Sequence, residues 1–203
     1  MPTPKTEQRR AETKARLQQA MLERLAGSSF QELRIEDIAD AAGLSRSAFY
    51  FYYPDKRALL MDAAAETSNA LFQQADRWWH GEGEPAELIR EALAGVAELW
   101  EANQELLCTA VEVATYDAQV EAFWRGLVGR FVTATAEHIA REQRDGVVDP
   151  GLEPRSTAEI LTWGVERNLY LLSTDPNDRR PAELVIPTTE LWLRAMYRRS
   201  GAS

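Results

Sequence analysis

The chain has 203 residues, 45% of them apolar and 27% charged, with a net charge of −9. That balance belongs to a globular chain able to bury a core, and it excludes a disordered one. No apolar run approaches the ~20 residues of a membrane span, the polar start MPTPKTEQRR has no secretory apolar stretch behind it, and the lone Cys108 cannot form an intrachain disulfide, so a cytoplasmic protein without a membrane partner is expected.

The spacing of apolar residues is helical nearly throughout, and no alternating β-branched runs occur. A first helix is expected over residues 5–26, with Leu17, Ala20, Met21 and Leu25 on one face and Gly27 as a left-handed C-terminal cap. Two short helices follow at 35–42 and 46–52. Pro54-Asp55 then caps a long helix that runs to about Trp79 and ends at the stretch HGEGEP. Longer amphipathic helices are expected at 86–102, 104–115, 118–144, 157–173 and 182–199. Asp117 caps the third of these and a Ser156/Glu159 capping box starts the fourth, while Pro187 either kinks or begins the last. The fold class is all-α, with about nine helices: a three-helix head at 1–57 and a helical bundle body at 58–203.

Charge divides along the same line. Residues 1–57 carry ten Lys/Arg against eight Asp/Glu, a net +2, which leaves −11 for the rest. Such a chain can present one end to a polyanion while its other end is repelled.

The stretch LRIEDIADAAGLSRSAFYFYYPDKRALL (33–60) is the most informative. Ile35, Ile38 and Ala39 form one face of a short helix, and Ala39 and Ala42 are small enough for a second helix to cross closely. Gly43 supplies a left-handed turn, Leu44 plugs the corner, and Ser45 caps a second short helix that buries Phe49 and Tyr53. These are the parts of a helix-turn-helix reader, whose second helix offers its first turn to base edges in the major groove. Arg46, Ser47 and Ala48 would then face bases, and Tyr50, Tyr52 and Lys56 would meet phosphates. Five consecutive aromatics, FYFYY, cannot all be buried on one helix face, so at least two must lie at the surface.

In this stretch Ile38-Ala39, Ala42-Gly43, Ser45, Phe49-Tyr50, Phe51-Tyr52-Tyr53 and Lys56 appear in an order that resembles the DNA-binding head of the TetR family. The resemblance counts Ser45 and Arg34 among the DNA-binding residues, although Arg34 is a departure, at the position where the family places a capping Ser or Thr that also contacts phosphate. Asp55 replaces a second capping Ser. The body resembles the EthR-like subgroup of the family, through FWRGLVGRFVTATAEHIAREQRDG (123–146), residues 158–171 with Glu166-Arg167, and LWLRAMY (191–197). The resemblance implies a dimer formed through the last two helices, a double-stranded operator, and a narrow apolar cavity for a small apolar effector. Carried over by position, cavity roles fall on Trp100, Trp124, Val128, Phe131, Thr135, Thr162, Val165, Tyr170 and Trp192. Thr162 and Val165 stand where the subgroup has asparagines, and Asn168 either replaces them or faces the dimer interface.

The composition bears on the same cavity. Four of the six tryptophans, Trp100, Trp124, Trp163 and Trp192, lie in the part of the body beyond the long helix, with Phe123, Phe131 and Tyr170, a set that suits either an apolar cavity or ordinary core packing. Glu112, Glu121, Glu137 and Glu166 read as markers of solvated helix faces, and Cys108 as an inert core thiol. His80 and His138 have no neighbours at metal-ligand spacing, and no phosphate loop or nucleophile elbow is present, so no cofactor, metal or enzyme activity is expected. The function expected is a ligand-released, dimeric transcriptional repressor. The alternatives are an activator with the same head, and a helical carrier or enzyme for an apolar molecule that does not bind DNA.

Overall fold

The computed structural model describes residues 4–175, 177 and 179–197. Among these the chain forms nine α-helices and a 3-10 turn: α1 (Pro4–Leu25), α2 (Ile35–Ala41), α3 (Arg46–Tyr52), α4 (Lys56–His80), α5 (Pro85–Ala102), α6 (Gln104–Ala114), α7 (Ala118–Arg144), α8 (Pro154–Ser173), the turn Pro181–Leu184, and α9 (Val185–Met196). The all-α expectation holds.

Capping chemistry sets most of the boundaries. Asp55 accepts from the Ala58 amide and Asp117 from Gln119 and Val120, satisfying first-turn donors of α4 and α7. Pro187 sits in the first turn of α9, where a missing N–H is harmless, so it begins the helix rather than kinking it. The final residues of that expected helix, 198 and 199, lie outside the described residues.

Two caps differ from expectation. Gly27 is not left-handed; the glycines that end a helix that way are Gly43 and Gly146, with φ of 66° and 75°. At Gly146 the amides of Gly146 and Val147 bond back to Gln143 and Glu142, the paired pattern of a Schellman motif. Gly27 instead follows a tightened last turn, with its amide on the Arg24 carbonyl. The Ser156/Glu159 box is also replaced. α8 starts three residues earlier, at Pro154, and its cap is the Glu153 carboxylate, which accepts from Arg155 and Ser156.

A single apolar core runs from Leu17 in α1 to Met196 in α9. α4 joins its two ends. Its first turns bury Leu59, Leu60, Ala63 and Ala64, and its last bury Trp78 and Trp79. The expected domain boundary at 57/58 therefore falls in the first turn of this helix. Where α4 ends, a buried polar cluster fastens α7 and α9 to it. His138 Nδ1 lies 3.2 Å from the Trp79 carbonyl, which also accepts from Arg141. Tyr197 donates to Glu142 (2.6 Å), and the Trp78 indole donates to Tyr197 (3.3 Å). His138 Nε2 lies 3.2 Å from Glu142 without hydrogen-bond alignment.

Candidate functional site

The head is built so that one face of α3 is left outside. Ile38, Ala39 and Ala42 are buried, and the left-handed Gly43 turns the chain by a second Schellman pair, Gly43 to Asp40 and Leu44 to Ala39. A Cβ at Gly43 would stand 3.1 Å from the Arg16 guanidinium, which donates to the Ala42 carbonyl and ties α1 to the turn. Ser45 caps α3 by accepting from the Ala48 amide at 3.1 Å. Phe49 and Tyr53 anchor the helix in the core, and Tyr53 and Lys14 both donate to Asp62, linking α1, α3 and α4. Burial pushes the Asp62 carboxyl up, but those two bonds outweigh it and hold the group below its ordinary value.

Of the five consecutive aromatics, Tyr50 and Phe51 are exposed and Tyr52 is half-buried, as the sequence required. Arg46 and Ser47 share that exposed face, with Ala48 half-buried beside them. Arg46 is held rather than free: it pairs with Glu36 of α2 at 3.1 Å and reaches the Tyr50 hydroxyl at 3.4 Å.

Two head residues with expected DNA roles are engaged within the protein. Lys56 Nζ donates to the carbonyls of Phe30, Gln31 and Leu33 at 2.6, 3.0 and 2.7 Å and lies over the Phe30 ring. An ammonium has three donors, so none is left for a phosphate; Lys56 fastens the loop between α1 and α2 instead. Arg34 makes no cap for α2. Its guanidinium turns forward and grips Asp37 through two bonds of 3.0 Å.

The body contains a cavity of about 100 Å³ between α4, α5, α6, α7, α8 and α9. Eight of the ten residues expected there do line it: Trp100, Trp124, Val128, Phe131, Thr135, Thr162, Val165 and Trp192. Tyr170 and Asn168 do not. Tyr170 sits under the Arg167 guanidinium, and Asn168 is exposed, its amide on the Gly164 carbonyl one turn back. Trp163 and Phe123 pack on the core away from the lining. The sequence reading missed the α4 wall, made by Ser68, Leu71, Ala75, Trp78 and Trp79. Its signal was present as a helical stripe at i, i+3, i+7 and i+10.

Glu166 is the larger correction. Read as a solvated carboxylate, it is only 6% exposed and lines the cavity. Its Oε1 accepts from the Trp124 indole at 3.0 Å. Burial pushes the carboxyl above its ordinary range, against a weaker opposing pull from Trp124 and Arg167. Burial likewise raises the Cys108 thiol to about 11, which leaves it unreactive at neutral pH. Among the described residues no group of side chains could hold a metal, and no helix is long and apolar enough to cross a membrane.

Residues 22–63 match the family model for bacterial regulatory proteins of the tetR family, and residues 89–198 match the C-terminal domain of the transcriptional regulator EthR. The chain belongs to the TetR family, with an EthR-type body. It is 28% identical over 179 residues to the HTH-type transcriptional regulator EthR of Mycolicibacterium smegmatis, covering 85% of this chain and 81% of that one. Identity to EthR of Mycobacterium tuberculosis (H37Rv) is 27% over 180 residues, 82% of this chain and 78% of the relative. Similar folds include NalD, the secondary repressor of a multidrug efflux pump in Pseudomonas aeruginosa, with a TM-score of 0.75 at 18% identity over 95% of this chain and 99% of that one. Another is Thermus thermophilus FadR, a repressor solved with lauroyl-CoA, with a TM-score of 0.69 at 24% identity over 94% and 98%. As a TetR-family member the chain is a helix-turn-helix transcriptional regulator, and not an enzyme.

Proposed function

We propose that this regulator represses transcription by binding a near-palindromic operator as a homodimer, and that an apolar effector in the body cavity releases it. The observation that carries this reading is the sharing of α4. One 25-residue helix closes the core of the head with Leu59 and Leu60 and walls the cavity with Trp78 and Trp79. A ligand that displaces the lower wall must move the same rod that positions α3. A second tie runs parallel to it: Arg57 in the first turn of α4 bonds to Asp117, the cap of α7, at 3.0 Å, and α7 carries Trp124, Val128 and Phe131 into the cavity.

Exposed apolar residues on the last two helices support the dimer. Ile160 and Leu171 on α8 and Ile186 and Leu191 on α9 are 53–73% exposed. Pairing α8 and α9 with their twofold mates would cover all four and set two α3 helices about one DNA turn, ~34 Å, apart. On DNA, Arg46 exchanges Glu36 and Tyr50 for a base edge, with Ser47 beside it and Tyr50 turned to phosphate.

The decisive experiment selects bound duplexes from a random pool and repeats the binding with apolar ligands present. A two-half-site operator whose affinity falls when ligand is added supports the proposal; absence of duplex affinity at every salt concentration would defeat it. Arg46→Ala should cost about 1–3 kcal/mol at one base position and relax specificity there.

A further inference from the structure

Glu166 is chemically out of keeping with the cavity it lines. The other side chains around it are aliphatic or aromatic apart from Ser68, Thr135 and Thr162. Thr135 already has a partner, its hydroxyl accepting from the Trp79 indole at 3.2 Å. The structural task of Glu166, receiving the Trp124 N–H, needs one acceptor oxygen, and Oε1 supplies it. The second oxygen, Oε2, is buried and has no hydrogen-bond partner among the described residues. The cation beside it, Arg167 Nε, stands 3.9 Å away on a half-exposed side chain that lies over Tyr170. A glutamine would hold Trp124 equally well without a buried carboxylate. An acceptor left open in an apolar cavity is destabilising unless something completes it.

We propose that Glu166 is the polar anchor of this cavity, and that the effector is an apolar chain or ring system bearing a basic amine. The inference rests on the cavity being the effector site. A protonated amine brings donors and a compensating positive charge to Oε2, and both gain strength where water is excluded. The walls favour the same chemistry. Trp124 and Trp100 meet edge to face beside Glu166, with ring centroids 6.3 Å apart, and their π-faces attract an ammonium. A fatty carboxylate, by contrast, would set a second negative charge against the first. A neutral alcohol falls between, donating one hydrogen bond without charge.

The test uses three ligands that share a chain and differ at the head: n-decylamine, 1-decanol and decanoate. Each is titrated into the full-length wild-type protein and Glu166→Gln at neutral pH, with binding read by calorimetry and by tryptophan fluorescence. Wild type should bind decylamine at least about tenfold more tightly than decanol, and decanoate most weakly. In Glu166→Gln the amine advantage should collapse to within about threefold of the alcohol, and decanoate should gain. Decanol binding with no preference for the amine in wild type would overturn the anchor while leaving an apolar effector site in place. A preference that survives in Glu166→Gln would overturn it too. If no ligand of the three binds wild type, the anchor and the apolar effector reading fall together.

Discussion

Lys56, Glu142 and Glu166 each carry a charge whose role is set by where the fold puts it. The sequence offers Lys56 as a phosphate contact, because a lysine at a helix start beside a helix-turn-helix has that chemistry. The folded chain gives its three protons to three loop carbonyls. Lys56→Met should therefore lower stability by about 1–2 kcal/mol in urea denaturation, by stranding those carbonyls, and should leave the salt dependence of operator binding unchanged; a slope reduced by a full unit would return Lys56 to the DNA. Glu142 gives a pH test. Burial raises its carboxyl, but the close approach of His138, the hydrogen bond from Tyr197 and the Arg141 charge outweigh that and hold it below the ordinary 4.5. A depressed folded-state pKa adds stability that is fully present above 4.5 and lost as the pH falls through and below that value. Acid denaturation of Glu142→Gln should accordingly begin from a lower neutral stability and show a flatter acid limb than wild type. Glu166 has the opposite sign: its raised carboxyl is ionised at a cost once the pH exceeds the ordinary range, so Glu166→Gln should melt higher than wild type at pH 7, with the gap closing near pH 4.

At the scale of elements, the parts legible in the sequence were those with local causes. Gly43, Ser45, Asp55 and Asp117 announce helix ends because their chemistry acts within a few residues, and each does what its type suggests. Gly27 failed because a helix can end by tightening its last turn, and a glycine beyond it need not be left-handed. The α7, α8 and α9 walls of the cavity were partly legible through the EthR-like resemblance. The α4 wall was not, because that stripe reads equally well as core packing. The inward turn of Glu166 had only its register as a signal, four residues after Thr162 and three before Leu169, and an acidic side chain ordinarily reads as a solvated face. A further expectation belongs at this scale. Asp117→Ala removes both the α7 cap and the Arg57 partner, so it should cost about 0.5–2 kcal/mol in thermal or urea unfolding and reduce the extent to which ligand weakens operator binding. If stability falls and the ligand response is untouched, α4 alone couples cavity to head.

The whole molecule brings together features that no single helix explains. The core is continuous from head to body, while four large apolar side chains on α8 and α9 remain outside it. Replacing two of them, Ile160→Glu with Leu191→Glu, should give a folded monomer by light scattering, and its operator affinity should drop by two orders of magnitude or more, about the contribution of a second half-site. A dimer that persists would move the interface elsewhere.

The void in the body also bears on how such a protein can change. A cavity of about 100 Å³ in a packed interior forgoes roughly 2 kcal/mol of the cohesion that filling it with side chains would supply. Selection for heat tolerance alone would fill it, for example by enlarging Val128. A chain so hardened would hold its operator regardless of chemical surroundings. If the cavity is the effector site proposed above, sensitivity consists of a deficiency kept on purpose, and variants that unfold least readily should be the ones deaf to their signal.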